Sequence, residues 1–176
     1  VSANAELCAF SLTGYSGGGK KMIAQYEAQG GEPLFLGGRQ YALGQAHKHL
    51  PEMQQVSGLS SAPLFCPIVA PFYAGMEVTV PLHRSQLKGG IADIQAAYAD
   101  YYQEGLVHFI ADASENSFLS AGAFAGRDDM QVTVCGNDDR ILLISRFDNL
   151  GKGASGAAIQ NLNLLLGAPE ALGLNV

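Results

Sequence analysis

Several features that would place the chain in a particular class of protein are scarce or missing. The 176 residues include no tryptophan, three cysteines and only 15% charged residues. A transmembrane helix needs ~20 consecutive apolar residues, and the longest apolar stretches, Ile141–Ile144 and Leu162–Leu166, are far shorter. The first residues, Val1-Ser2-Ala3-Asn4, do not resemble a signal peptide. We therefore expect a cytoplasmic protein with no membrane partner.

Basic residues are few and dispersed. Ten lysines and arginines stand against sixteen aspartates and glutamates, which gives a formal net charge of −6. A nucleic-acid surface needs clustered cations that displace counterions from the phosphates. The charge pattern therefore argues against a nucleic-acid partner.

The three cysteines, Cys8, Cys66 and Cys135, do not form a disulfide framework. Their number is odd, and no Cys-x-x-Cys spacing typical of zinc sites is present. Each lies among apolar or β-branched residues, which is typical of buried and unreactive thiols. Neither a disulfide framework nor a metal site is predicted.

Hydrophobic periodicity predicts a single α+β domain over residues 1–176, with a mixed sheet. The predicted strands are Glu6–Thr13, Met76–Leu82, Val107–Ala111, Met130–Cys135 and Arg140–Phe147. The predicted helices are Lys20–Gln29, closed by Gly30-Gly31, then Lys48–Val56, which Pro51 restricts to a start near that residue, and Ala154–Leu166. A further helix has an apolar stripe from Ile91 to Tyr101 and is ended by Gly105. The turn at residues 136–139 predicts a hairpin, and four consecutive aliphatic residues predict that its second strand is central and covered on both faces.

A first glycine cluster, Gly14 to Lys21, lies between a predicted strand and a predicted helix. It matches the phosphate-loop pattern G-x-x-x-x-G-K, but Lys21 stands where that loop needs serine or threonine to hold magnesium. A nucleoside triphosphatase is therefore not expected. Backbone N–H groups at a helix start beside Lys20 and Lys21 favour a small phosphate, and the alternative is a plain turn with solvated lysines.

A second glycine cluster, Gly151 to Gly156, reads G-x-G-x-x-G at the start of the last predicted helix. A dinucleotide fold needs a further strand ending in an acidic residue after this motif, and only 20 residues follow Gly156. The glycines more simply allow a close approach to the helix start, for example by a cofactor carried on another domain.

A third cluster contains two of the four histidines. His47 and His49 are followed by Glu52, and imidazole is the usual acid or base near neutral pH, with a carboxylate able to orient it. The alternative is a structural or exposed histidine pair. No third metal ligand accompanies them, and His83 and His108 receive no role.

Taken together, the three clusters resemble the short-type N-acetyl-gamma-glutamyl-phosphate reductases. The resemblance rests on Thr13–Lys21, His47–Met53 and Asp148–Ala154, and it extends from near residue 10 to the C-terminus. It implies reduction of N-acetyl-5-glutamyl phosphate to the semialdehyde with NADPH, in arginine biosynthesis. It also implies a fold like the C-terminal catalytic domains of glyceraldehyde-3-phosphate and aspartate-semialdehyde dehydrogenases, with helices on one face of the sheet.

The resemblance also implies roles for individual residues. His47 is the expected acid/base, with His49 as the alternative. Substrate contacts are expected from Ser16, Lys20, Lys21, Tyr41 and Glu52, and cofactor contacts from Gly17 and Asn149. NADP would bind mainly to an N-terminal domain, against which the last helix would pack. Self-association as a homodimer or homotetramer is also expected.

One departure from the family limits this interpretation. The family's nucleophile lies in a Gly-Cys-Tyr turn, which does not occur in this sequence, and none of the three cysteines replaces it. We therefore expect the 176 residues to be a fragment that is inactive alone. The alternative is a non-catalytic domain of the same fold that binds a small phosphate or serves in assembly.

Overall fold

A seven-stranded mixed sheet organises the chain in the computed structural model, which describes residues 1–28 and 32–176. The strands are β1 (Cys8–Gly14), β2 (Arg39–Gln40), β3 (Leu64–Ala70), β4 (Met76–His83), β5 (Val107–Phe109), β6 (Met130–Gly136) and β7 (Arg140–Phe147). The helices are α1 (Gly19–Glu27), α2 (Leu50–Ser57), α3 (Ile91–Tyr101) and α4 (Gly156–Leu166). The sheet order is β2-β3-β1-β4-β7-β6-β5, with β1/β3 and β5/β6 parallel. The predicted α+β class with a mixed sheet is confirmed.

The strongly periodic elements have the predicted bounds. Strand β7 begins and ends at the predicted residues, and helix α3 begins at Ile91 as predicted but ends at Tyr101, before Gly105. The other predicted elements are displaced by one or two residues. Helix α4 starts at Gly156 because Gly151–Ser155 forms a π-helical turn. Gln29 and Gly30-Gly31, the predicted end of α1, lie outside the described residues. Within the described ranges, no helix is long and apolar enough to cross a membrane.

Strand β3 was not predicted, because Pro67 interrupts its pattern. Pro67 pairs with Ser11 of β1, and its carbonyl oxygen accepts a 3.0 Å hydrogen bond from the backbone N–H of Tyr41. The N and O atoms of one strand residue point to the same side, so the missing N–H of Pro67 faces β2, where pairing lasts only two residues. Pro67 therefore removes no hydrogen bond between β3 and β1.

Helices α2 and α3 cover one face of the sheet, as predicted. Helix α2 packs Leu50 and Met53 on Ala9 and Phe65. Helix α3 places its stripe on a second cluster around Ile141; that stripe is Ile91, Ile94 and Tyr98. Val80 of β4 touches both clusters, so the two helices share this face, which we call the helix face.

The other side of the sheet is partly bare, and we call it the open face. Cross-strand pairing places Phe10, Leu12, Leu64 and Leu142 there, and Leu64 and Phe10 are 62% and 44% exposed. Strand β7 is central as predicted, but the prediction that both its faces are covered is wrong at Leu142, which is 37% exposed.

All three cysteines also lie on the open face. In the register of the sheet, Cys8 and Cys66 share the side of Phe10, and Cys135 lies opposite Leu142. Each thiol is half-buried, so the prediction of buried thiols is wrong for this single chain. The reason is that their apolar neighbours belong to an uncovered sheet surface rather than to the core.

Candidate active site

The turn that follows β1, residues 14–18, is fixed against the loop that follows β3. The backbone N–H of Gly14 donates to the carbonyl oxygen of Gly75 at 2.9 Å, and that of Ser16 donates to the carbonyl of Tyr73 at 3.0 Å. A Cβ atom at Gly14 would collide with the backbone of Tyr73. The glycine is therefore required by this close approach of two backbones.

Asn149 holds this turn from the end of β7. Its Nδ2 donates to Ser16 Oγ at 2.9 Å, and its Oδ1 accepts from the backbone N–H of Gly75 at 2.9 Å. Gly17 lies beside the same amide, since a Cβ at that position would be 3.2 Å from Nδ2. The structure thus brings together Ser16, Gly17 and Asn149, three predicted site residues from opposite ends of the chain. We call them the serine–asparagine cluster.

Asp148 orients Asn149, a role that the sequence analysis did not predict. Its carboxylate is 2% exposed and accepts backbone N–H groups from Gly126 at 2.6 Å and from Leu150 and Gly151 at 2.7 Å each. A buried carboxylate is tolerated only when such donors surround it. Its signal in the sequence was a charged residue directly after a buried strand.

The second group of predicted residues lies on the helix face, before α2. The His47 ring packs 5.1 Å from Phe65, 5.9 Å from Tyr41 and 5.0 Å from His49, between ring centroids. The Nδ1 atom of His49 lies 2.6 Å from Glu52 Oε2. The structure therefore brings together Tyr41, His47, His49 and Glu52, which we call the histidine cluster.

The two imidazoles of this cluster have different hydrogen bonds. The backbone N–H of His49 donates to His47 Nδ1 at 3.3 Å, so the proton of a neutral His47 lies on Nε2. Glu52 instead faces His49 Nδ1, so a neutral His49 that donates its Nδ1–H to this carboxylate has its lone pair on Nε2. Partial burial, followed by the nearby His49 and Lys48 charges, lowers the pKa of His47 and favours its neutral form.

Gln45 fastens the histidine cluster to the sheet and was also missed in the sequence. Its Nε2 donates to the carbonyl oxygen of Phe65 at 2.7 Å, and its Oε1 accepts the backbone N–H of Phe65 at 3.0 Å. The side-chain amide thus takes the place of a paired strand where β2 has ended. No local pattern signals this contact, because the two residues meet only when the segment folds back on β3.

The two clusters do not coincide. His47 packs on Phe65, whereas the turn at Ser16 follows the level of Ala70, because Gly14 and Ala70 are paired. Five residues of strand at ~3.3 Å each separate these levels by roughly 16 Å. Lys20 and Lys21 are exposed on the first turn of α1. The predicted site residues therefore form an extended rim rather than one pocket.

No group of three or more His, Cys, Asp or Glu side chains within residues 1–28 and 32–176 is placed to hold a metal ion. The cysteines and the histidine cluster lie on opposite faces of the sheet. Phe65, which carries the His47 contact, is on the helix face, while neighbouring Cys66 points to the open face. The sheet itself therefore separates these thiols from His47.

Helix α4 presents an apolar surface that the chain leaves uncovered. Leu162, Leu164, Leu165 and Leu166 are all exposed, Leu165 to 82%. Its one buried polar side chain, Asn163, donates from Nδ2 to the carbonyls of Glu170 and Leu172 at 2.9 Å each. The C-terminal segment is thereby held against one side of α4, and the leucines remain on the other.

Comparison with known proteins agrees with this architecture. Residues 1–149 match the family described as semialdehyde dehydrogenase, dimerisation domain. The chain is 45% identical over 178 residues to N-acetyl-gamma-glutamyl-phosphate reductase 2 of Nostoc sp., with 93% of this chain and 55% of that protein covered. It is 40% identical over 176 residues to the N-acetyl-gamma-glutamyl-phosphate reductase of Brucella ovis, with 95% and 54% covered. The resemblance drawn from the three clusters is thus confirmed, and the chain spans about half the length of these relatives.

Solved structures show the same fold at low identity. Aspartate semialdehyde dehydrogenase II from Vibrio cholerae superposes with a TM-score of 0.68 at 18% identity, over 92% of this chain and 54% of that chain. A probable aspartate-semialdehyde dehydrogenase from Pseudomonas aeruginosa gives 0.62 at 17% identity, over 92% and 55%. The predicted likeness to the C-terminal domain of aspartate-semialdehyde dehydrogenases is therefore confirmed for the fold.

Proposed function

Because the chain belongs to the semialdehyde dehydrogenase dimerisation-domain family, we propose that it is the catalytic and dimerisation half of an NADPH-dependent reductase. Its substrate would be N-acetyl-5-glutamyl phosphate and its product the 5-semialdehyde, a step of arginine biosynthesis. The histidine cluster is the observation that carries the proposal, since two imidazoles with complementary hydrogen-bonding states lie beside Tyr41 and Glu52. Homology to the reductases over about 55% of their length supports it.

Acyl-phosphate reduction through a thiol needs proton transfer at two atoms, the sulfur of the thiol and the oxygen of the thiohemiacetal. A thiolate displaces phosphate to form a thioester, and hydride addition to the thioester carbon places negative charge on the carbonyl oxygen. The resulting thiohemiacetal then loses its O–H proton and breaks its C–S bond, which releases the aldehyde and regenerates the thiolate. The Nε2–H of a neutral His47 would donate to that oxygen. The Nε2 lone pair of His49, oriented by Glu52, would contact the substrate or accept a proton from it.

The thiol nucleophile is not expected from this chain. No Gly-Cys-Tyr turn occurs in the sequence, and Cys8, Cys66 and Cys135 lie on the side of the sheet opposite to Phe65 and His47. The thiol and most of the nucleotide site would therefore be supplied by the rest of the full-length protein. The isolated 176 residues would have no turnover.

NADPH supplies the hydride in such reductions, and the serine–asparagine cluster fits a contact with its nicotinamide. An asparagine amide offers two N–H donors and two lone pairs. Asn149 uses one of each toward Ser16 and Gly75, which leaves one donor and one acceptor for a carboxamide. Gly17, without a side chain, leaves the approach to this amide open. Lys20 and Lys21 would face a phosphate group from the start of α1.

Self-association would bury the open face. Large apolar side chains exposed on one face of the sheet, among them Phe10, Leu64 and Leu142, form the kind of patch that marks a protein interface. A second copy of the chain is the expected occupant, given the dimerisation domain that residues 1–149 match. Helix α4 would pack its leucines on the nucleotide domain instead.

The experiment is a reductase assay of the full-length protein and of the isolated chain, with a calorimetric titration of NADPH. We expect turnover only in the full-length protein, and binding to the isolated chain weaker than ~1 mM, about −4 kcal/mol. Tighter binding by the isolated chain would contradict the fragment hypothesis. A full-length protein that binds inorganic phosphate beside Lys20 and Lys21 but never reduces the acyl phosphate would support the non-catalytic alternative.

A further inference from the structure

Two of the three cysteines form a pair on the open face. The Sγ atoms of Cys8 and Cys66 lie 3.9 Å apart, and both thiols are half-buried. In the parallel pairing of β1 with β3, Cys8 is opposite Leu64. Cys66 is opposite Phe10, so the two cysteines are diagonal neighbours. They are 58 residues apart in the chain, which is why no cysteine spacing in the sequence indicated a pair.

The strand spacing disfavours a disulfide between these two thiols. Strands ~4.8 Å apart and two residues of strand at ~3.3 Å each place the Cα atoms of diagonal neighbours roughly 8 Å apart. A disulfide usually needs about 4.4–6.8 Å between Cα atoms. Strands β1 and β3 are paired along seven residues, so an approach of this size would distort their hydrogen bonds. The pair is therefore expected to remain two thiols.

The distance between the sulfur atoms instead matches two ligands of one metal ion. With metal–sulfur bonds of about 2.3 Å, as in zinc thiolates, a separation of 3.9 Å gives an S–metal–S angle of roughly 115°. This angle lies between the tetrahedral and the trigonal value. No movement of the backbone is required, because the ion would lie beside the line that joins the two sulfur atoms.

The surroundings of the pair favour a soft ion of low coordination number. Cys8 lines an open cavity of about 780 Å³ together with Leu64 and Pro81, through which an ion can reach the thiols. In the part of the chain that the structure describes, no third His, Cys, Asp or Glu side chain completes a site, so zinc lacks two of the ligands it needs. Soft thiolate ligands select monovalent copper, which accepts two or three ligands and can take the third from a small solute in the cavity.

We propose that Cys8 and Cys66 form a binding site for a thiophilic monovalent metal ion, Cu(I), on the open face. Two copper–sulfur bonds form and two S–H bonds break, both protons pass to solvent, and the oxidation state of copper does not change. The site is independent of the proposed reductase function, because the open face lies opposite the histidine cluster. Where a second copy covers this face, the ion would lie inside the interface.

The test measures the Cu(I) affinity of the full-length protein, without oxygen, by competition with a chromogenic copper chelator. A Cys8→Ser/Cys66→Ser double variant gives the contribution of all other thiols. Even outer-shell partners of a metal are worth about 10–100-fold in affinity, so loss of one ligand, in Cys8→Ser or in Cys66→Ser, should weaken binding by at least ~100-fold. Cys135→Ser is the matched control and should leave the affinity unchanged. Its thiol is also half-buried on the open face, but three strand spacings, roughly 14 Å, separate β6 from β1.

A second measurement needs no variant. One equivalent of Cu(I) should protect Cys8 and Cys66 from alkylation, mapped by mass spectrometry, and leave the alkylation of Cys135 unchanged. The inference is overturned if the wild type binds Cu(I) no more tightly than the double variant, if either single variant keeps the wild-type affinity, or if Cys135→Ser weakens binding equally. Mass spectrometry that finds Cys8 and Cys66 joined as a disulfide would also overturn it. Should a serine variant fail to fold, the alkylation pattern decides.

Discussion

Asp148 offers the sharpest test of how the candidate site is held together. The carboxylate is 2% exposed and accepts three backbone N–H groups at 2.6–2.7 Å. Replacing it by alanine removes all three bonds and leaves three part-buried N–H donors without this acceptor. We therefore expect Asp148→Ala to destabilise the fold strongly and to release the turn that carries Asn149.

The magnitude follows from the hydrogen bonds. A bond to a charged group is worth ~1.5–3 kcal/mol net, and three such bonds, summed naively, exceed the roughly 4–5 kcal/mol that single substitutions rarely surpass. Water entering the alanine cavity recovers part of this, so we expect a loss of about 3–4 kcal/mol. At 2–4 °C per kcal/mol for a domain of this size, the melting temperature should fall by about 6–16 °C. Asp148→Asn keeps one acceptor oxygen and should lose about half as much.

Urea unfolding followed by circular dichroism, at one fixed protein concentration, measures these differences. The control is Asp139→Ala, on the exposed hairpin turn, which should change stability by no more than about 0.5 kcal/mol. A loss below about 1 kcal/mol in Asp148→Ala would refute the reasoning, because it would mean that the three N–H groups find equivalent partners without the carboxylate.

Three further predictions concern the histidines, one ion pair and the open face. If the full-length protein is the proposed reductase, His47→Asn should lower its kcat by about 10²–10⁴-fold, whereas His49→Asn should raise KM more than it lowers kcat. The opposite pattern in steady-state assays would exchange their roles. Burial alone would raise the pKa of Asp129, but hydrogen bonds from Arg127 at 2.7 and 2.6 Å bring it below its usual value. Stability from a lowered carboxyl pKa is present above the unfolded pKa of ~3.9 and disappears as pH falls through the folded value. Arg127→Met should therefore be clearly less stable than wild type at pH 7, and this difference should shrink as the pH falls below ~3.9; a difference that stays constant would contradict this. Leu142→Asp, on the open face, should convert a dimer to a monomer in sedimentation, and a wild-type chain that is already monomeric at micromolar concentration would count against the interface.

The sequence alone determined the elements whose signal is local. Helix α3 followed from periodicity because it buries one regular stripe, strand β7 followed from its aliphatic run, and Pro51 correctly marked the first turn of α2. The glycine turn after β1 and the histidine cluster were recognised as short motifs, because the residues of each lie within one short segment of the chain. The family likeness also depended on these short motifs.

Tertiary structure alone decided what depends on pairing between distant segments. Strand β3 contradicts its own local pattern at Pro67 and forms because β1 pairs with it along seven residues. Gln45 and Asp148 acquire their roles only when backbone groups from other segments reach them, and no spacing in the sequence records the contacts of Gln45 with Phe65 or of Asp148 with Gly126. The distance between the two clusters is also set by the register of the sheet. The histidine cluster lies beside Phe65, near the start of β3, and the serine–asparagine cluster lies beyond Ala70, at its end.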